Sequence, residues 1–302
     1  MLYSFLKSVK PIHYLLTGII LALCTALLTL WKSYTFVDAF LAFLIAATCL
    51  LVFQFVVGKN ELIARSAIGI WIFLWLLLAS MAATIDTASL TALLLLLLAL
   101  RRILSMRSGL QEISKIFDAS FWIAISCFIN PWYAAMFIVV FVGIFLFARS
   151  QVRFWFIPFI AMVCVGFLSF TIGYVFEIPM YRPWENSWAL VDLGIVQKSS
   201  SAFIFYTILC LAIVFLFIYL VRVVDVNKRV PQFISVLIAI LVLGALLMVV
   251  NHSAPLSAAL LTIPALAIFL GRASYFMDHK VFRELLLWYP VCICIVNWLL
   301  FL

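Results

Sequence analysis

The stretch Ala119–Phe147, ASFWIAISCFINPWYAAMFIVVFVGIFLF, decides how this chain is arranged, because it is apolar throughout yet carries Asn130-Pro131 near its middle. A helix crossing the hydrocarbon of a bilayer needs about 20 residues. This run is longer, and its proline removes a backbone donor and disfavours helix at the residue before it. Two arrangements follow: one long tilted span, or a hairpin that enters, turns at Asn130-Pro131 and returns to the same side.

Charge separates the two, since loops left in the cytoplasm are enriched in Lys and Arg. Further apolar runs stand at 11–31, 37–57, 66–84, 87–104, 154–176, 202–221, 231–251, 255–270 and 285–302. With a cytoplasmic N-terminus and a hairpin, 16 of the 19 Lys and Arg fall inside, and Lys32, Arg182 and Lys198 fall outside. With a single span every later loop inverts, and the division becomes 10 inside and 9 outside. The hairpin is therefore expected. The fold class read from the sequence is all-α: a polytopic transmembrane helical protein of about eleven membrane helices, including a broken or re-entrant hairpin at 119–147. Its N-terminus is cytoplasmic and its C-terminus external.

Composition agrees, because 69% apolar and 10% charged residues exclude a water-soluble globule. Residues 1–302 read as a single integral-membrane domain. The first run follows Lys7 and Lys10 but is about 20 residues long and lacks a small-x-small cleavage site, so it reads as a retained span. Glu61, Glu112, Asp118, Asp225, Asp278 and Glu284 fall inside, and Asp38, Asp86, Glu177, Glu185 and Asp192 outside. The net charge of +8 thus reflects membrane orientation and argues for no nucleic-acid partner. The bilayer itself is the first partner, its anionic headgroups facing an inner basic belt.

Cys24, Cys49, Cys127, Cys164, Cys210, Cys292 and Cys294 all fall inside apolar runs without CxxC or Cys/His spacing, so they read as small packing residues. No metal site and no cofactor is expected, since neither a metal-ligand cluster nor a glycine-rich phosphate loop is present.

Four regions offer surfaces or chemistry. The first is the hairpin, whose entering arm 119–129 is about 16 Å long at 1.5 Å per residue, half the hydrocarbon thickness. Backbone groups freed at Asn130 and Pro131 must be covered by protein or open into a wet cavity. Asp118 is placed to cap the arm.

The second region is the external segment 177–201, with a helix over about 183–193 that starts at Pro183. Trp184, Trp188, Val191 and Ile195 share one face, an aromatic anchor at the membrane surface, while Glu185 and Asp192 share the opposite face. The third is the cytoplasmic segment 101–118, in which Ile103, Met106, Leu110, Ile113 and Phe117 recur at helical spacing. Much of it reads as an amphipathic helix, weakened locally at Gly109. Its Arg101, Arg102, Arg107 and Lys115 form a surface for lipid or for a partner. The fourth is an external rim of Asp38, Asp86 and Asn251-His252, each alone at the end of an apolar run. Within the spans no Asp, Glu, Lys, Arg or His lies near the midplane; Gln54, Asn130 and Asn297 are the nearest polar groups.

The segments Leu100–Ser108 (LRRILSMRS) and Lys115–Ile123 (KIFDASFWI), with Phe5–Pro11 (FLKSVKP) near the start, resemble a family of uncharacterised polytopic inner-membrane proteins of Bacteroidota. That family implies no activity. More distantly, the cytoplasmic start, many spans and broken pair midway are similar to the membrane region of GT-C-type glycosyltransferases that use polyprenyl-linked sugars. That resemblance implies a catalytic acid in the first external loop, where this chain has Asp38. The loop here is only about six residues long, and Lys32, Arg182 and Lys198 are its only outer cations for a departing phosphate.

Three functions follow as expectations. The first is a non-catalytic integral subunit or scaffold of an envelope protein complex, a degenerate GT-C-like fold packed with other membrane or envelope proteins. The second is an outer-face glycosyltransferase using a polyprenyl-linked donor through Asp38. The third is a transporter of a lipid or small molecule through the broken hairpin. The oligomeric state is not readable from the sequence.

Overall fold

A computed structural model describes residues 2–32, 35–63, 66–83, 86–148, 151–177, 232–250, 255–276 and 279–301, with isolated helical positions at 207, 210 and 214. Nine of the ten apolar runs read from the sequence are helical among these residues; 202–221 lies almost wholly outside them. The helices are α1 (Leu2–Leu6), α2 (Pro11–Lys32), α3 (Phe36–Lys59), α4 (Ile68–Ala83), α5 (Thr87–Ser105), α6 (Glu112–Ile129), α7 (Phe137–Phe147), α8 (Ile157–Val175), α9 (Gln232–Val250), α10 (Pro255–Phe276) and α11 (Lys280–Phe301). No strand occurs among the described residues.

Five segments are long and apolar enough to cross a membrane: Pro11–Leu30, Phe36–Lys59, Thr87–Ser108, Val152–Val175 and Lys280–Leu299. The shorter apolar helices Ile68–Met81, Pro131–Phe147, Gln232–Met248 and Ala259–Tyr275 pack among them. An all-helical body with several such segments is a multi-pass membrane protein, because a helix satisfies its backbone internally where no water is available.

Helix α4 forms the centre. Nearly every side chain from Ile68 to Met81 is buried, and α4 packs on α11 and α10 with α2 and α3 beside it. A helix apolar all round suits that position, having no polar face to turn outward. Helix α8 is the opposite case: it packs mainly on α6 and leaves Phe159, Val163, Phe167, Phe170 and Tyr174 exposed. Pro264 and Pro290 lie inside α10 and α11, a placement tolerated where neighbouring helices cover the freed carbonyls.

The hairpin is longer than its apolar sequence implies. Its first arm begins at Glu112, not Ala119, and α6 is 18 residues, about 27 Å. Asp118 therefore lies inside α6 and does not cap it. The N-cap position belongs to Gln111, in the left-handed conformation at φ 52° and without a side-chain cap bond. Asp118 instead pairs with Arg102, Nη2 to Oδ2 at 2.8 Å. The helix ends at Asn130, whose φ of −151° leaves helical geometry, and Pro131 opens a 3-10 turn, Pro131–Met136, leading into α7.

The segment 101–118, read as amphipathic and largely helical, is divided in two by a turn. The chain ends α5 at Ser105, makes a 3-10 turn over Met106–Ser108, and reverses through Gly109 at φ 66° before α6 starts. Glycine enters the left-handed region without a Cβ penalty, so the residue that only weakened the helical pattern breaks it. Ile103, Met106 and Ile116 are buried, whereas Leu110 is 70% exposed at the turn.

Both ends of the hairpin return to one place. Asp118 near the start of α6 meets Arg102, and Gly143 near the end of α7 sits so close to Ile103 that a Cβ there would lie 2.7 Å from Ile103 Cγ2. Arg102 and Ile103 are adjacent on the last turn of α5. The pair thus leaves the last turn of α5, reverses at Asn130-Pro131 and comes back.

Candidate functional site

The same end of the bundle gathers the other connections. Ala67 N donates to Leu6 O at 2.9 Å, Tyr3 N to Glu284 Oε1 at 3.1 Å, and Arg272 Nη1 to Leu62 O at 2.8 Å. Lys59 and Arg101 reach one ring, Phe55, at 5.6 Å and 4.6 Å from its centroid. The start of α1, the α3–α4 turn, the α5–α6 turn, the end of α7 and the start of α11 therefore share one basic end. Among the described residues, basic connections that are far apart in the sequence are gathered in space.

Of the cations expected to form a surface here, Arg102 is taken by Asp118. Lys115 folds back, its Nζ donating to Ser105 O at 2.8 Å and Ser108 Oγ at 2.6 Å. Desolvation first, and then the positive charges of Lys59 and Arg102, push the Lys115 ammonium below its usual pKa. Arg107 is exposed on the 3-10 turn. Arg101 stacks on Phe55. Lys59, not among the candidates read from the sequence, joins them only because α3 and α5 run side by side.

At the other end Asp38 and Asp86 are engaged in helix starts, while Glu177 follows the end of α8. Thr35 is the N-cap of α3: its Oγ1 accepts from Asp38 N at 3.2 Å and donates to Asp38 Oδ2 at 2.6 Å. This reciprocal arrangement resembles a capping box. Asp86 is the N-cap of α5; its Oδ1 accepts from Ala88 N at 3.1 Å and its Oδ2 from Ser89 Oγ.

The two acids do not share a level. Cys49 Sγ lies 3.8 Å from Leu90 O, which sets α3 against α5. Asp38 is three turns before Cys49 and Asp86 one turn before Leu90, so Asp38 lies about 10 Å further out at 1.5 Å per residue.

Asn130 stands about 18 Å from the Arg102 level along α6, close to the first turn of α5 and therefore close to the level of Asp86. Their chemistry stays local. Asn130 Oδ1 accepts from Trp132 N at 3.1 Å and Asn130 O from Tyr133 N at 3.0 Å, which satisfies the first two N–H groups after Pro131. Glu185, Asp192, Trp184, Trp188 and His252, with the helix expected over 183–193, lie outside the described residues.

Three polar groups in the spans received little weight from the sequence. Gln54 Nε2 donates to Tyr14 OH at 3.1 Å. His13 is buried beside Phe5, and its Nδ1 accepts from Lys10 N at 3.1 Å. Asn297 is fully buried on α11 with neither side-chain atom bonded. An amide in a run of apolar letters gives no sign of whether it faces lipid or protein.

All seven cysteines are free, with Cys49 and Cys294 buried. Among the described residues, no group of three or more His, Cys, Asp or Glu comes together as a metal site would require. Comparison with protein-family models, with curated proteins and with solved structures finds no match for this chain.

Proposed function

We propose that the chain is a non-catalytic integral subunit of an envelope protein complex in a bacterial inner membrane, with eleven membrane helices, α1 on the cytoplasmic side and the end of α11 on the external side. The observation that carries this reading is the use made of Asp38 and Asp86. The two acids nearest to a site for outer-face transfer chemistry each hold the first turn of a helix, and they stand at different depths. A general acid or base must reach the proton that it moves, and a carboxylate closed onto its own helix start is poorly placed for that.

The orientation is supported by the shared basic end, since cytoplasmic loops retain Lys and Arg. The subunit role is supported by α8, which among the described residues packs mainly on α6 and leaves an aromatic face of Phe159, Phe167, Phe170 and Tyr174 exposed. The Asn130 side chain is engaged as the cap of the 3-10 turn that follows, which suits an architectural hairpin better than a solute path.

Purification in a gentle detergent tests the role. Stoichiometric co-purification of other envelope proteins is expected, surviving gel filtration and lost on Phe167→Glu in α8. Recovery of a stable lone monomer under the same conditions overturns it. Should Asp38→Asn abolish function with protein abundance unchanged, the glycosyltransferase reading replaces this one.

A further inference from the structure

We propose that the basic end between α3 and α5 binds the phosphate headgroup of an anionic phospholipid, held by Lys59 and Arg101, with an acyl chain lying along α3. This goes beyond the subunit role and depends only on the chain being a membrane protein.

The headgroup position follows from Phe55. Arg101 Cζ and Lys59 Nζ lie 4.6 Å and 5.6 Å from the centroid of its ring, so the cations stand within about 10 Å of each other. Among the described residues neither has an acidic partner: Asp118 serves Arg102, and Glu61 and Glu112 form no ion pair with either. Like charges brought this close at the rim of a low-dielectric region repel. An anion between them removes that repulsion, and the oxygens of one phosphate can accept from both.

The lipid, as opposed to a free phosphate ion, is indicated by the surface leading away from the cations. Leu44, Thr48, Leu51 and Phe55 are exposed at four-, three- and four-residue spacing on α3, one stripe along the helix, and Lys59 follows one turn later. On α5 the partly exposed Leu94 and Leu98 lead in the same way to Arg101. Two apolar stripes that each end in a cation match an amphiphile with one anionic end. Basic pockets between membrane helices are suited to such headgroups, each Lys or Arg contributing about 1 kcal/mol.

The experiment uses the full-length protein in detergent micelles doped with phosphatidylglycerol or phosphatidylcholine, with retained lipid read by native mass spectrometry. Wild type is expected to keep phosphatidylglycerol in preference to phosphatidylcholine. Lys59→Gln and Arg101→Gln should each weaken that preference about fivefold, the equivalent of about 1 kcal/mol per charge. Arg101→Lys, which preserves the charge, should keep it, with the melting temperature of the lipid-free protein showing that each variant is folded. Equal retention of the two lipids by wild type, or unchanged preference in Lys59→Gln and Arg101→Gln, overturns the proposal. Displacement of bound phosphatidylglycerol by millimolar inorganic phosphate also overturns it, in favour of a free-anion site.

Discussion

Asp86 shows how a single residue can be assigned by its neighbours. As the N-cap of α5 it supplies acceptors to Ala88 N and Ser89 Oγ, and replacing such a cap by alanine costs about 1 kcal/mol. Asp86→Ala is therefore expected to lower the thermal stability of the detergent-solubilised protein by about that amount, with Asp86→Asn, a comparable cap, close to wild type. Asn297 makes the opposite case. Its amide is buried with neither polar atom bonded, so the native state carries a desolvation cost of roughly 1–3 kcal/mol. Asn297→Leu, of similar size and apolar, is expected to raise the melting temperature. A fall would show that a water molecule or a polar solute occupies that position. The sequence gives these two residues equal standing as polar letters beside apolar runs; what separates them is whether a backbone N–H lies within reach.

At the level of elements, the hairpin is held by close approach and by one exposed ion pair, and the two differ in weight. Gly143 admits Ile103 because it has no Cβ. Gly143→Val is expected to destabilise the protein by about 1–3 kcal/mol through overpacking, and Ile103→Ala in the same chain should recover part of the loss. Additive effects of the two substitutions in a double-mutant cycle would show that α7 does not rest on the last turn of α5. The Arg102–Asp118 pair has side chains 40% and 35% exposed. Its coupling is expected to be about 0.2–1 kcal/mol, falling with added salt. The apolar pattern from Ala119 onward finds the deep part of α6, yet its first two turns carry Glu112, Ser114, Lys115 and Asp118 and read as part of a separate surface helix. Tertiary packing on α5 extends the helix through them.

For the whole molecule, the shared basic end makes a prediction about sidedness. Cysteines introduced singly at Ser108 and Lys280, in a background freed of the native seven, are expected to be labelled by a membrane-impermeant maleimide only from the cytoplasmic face, and one at Phe36 only from the outside. Labelling of Ser108 and Phe36 from the same face would refute the orientation.

The sequence by itself determined the class of the protein, the number of apolar runs, the break at Asn130-Pro131 and the sign of the charge at each connection. These depend on length, hydropathy and charge along one chain, which an apolar solvent reads directly. Tertiary structure alone decided that α4 is central and α8 peripheral, because both are apolar all round and only neighbours distinguish burial in protein from burial in lipid. It alone joined Lys59 to Arg101 on Phe55 and set Asp38 apart from Asp86. Residues far apart in the chain meet according to which helices lie side by side, and helix packing is fixed by shape between elements and not by periodicity within one.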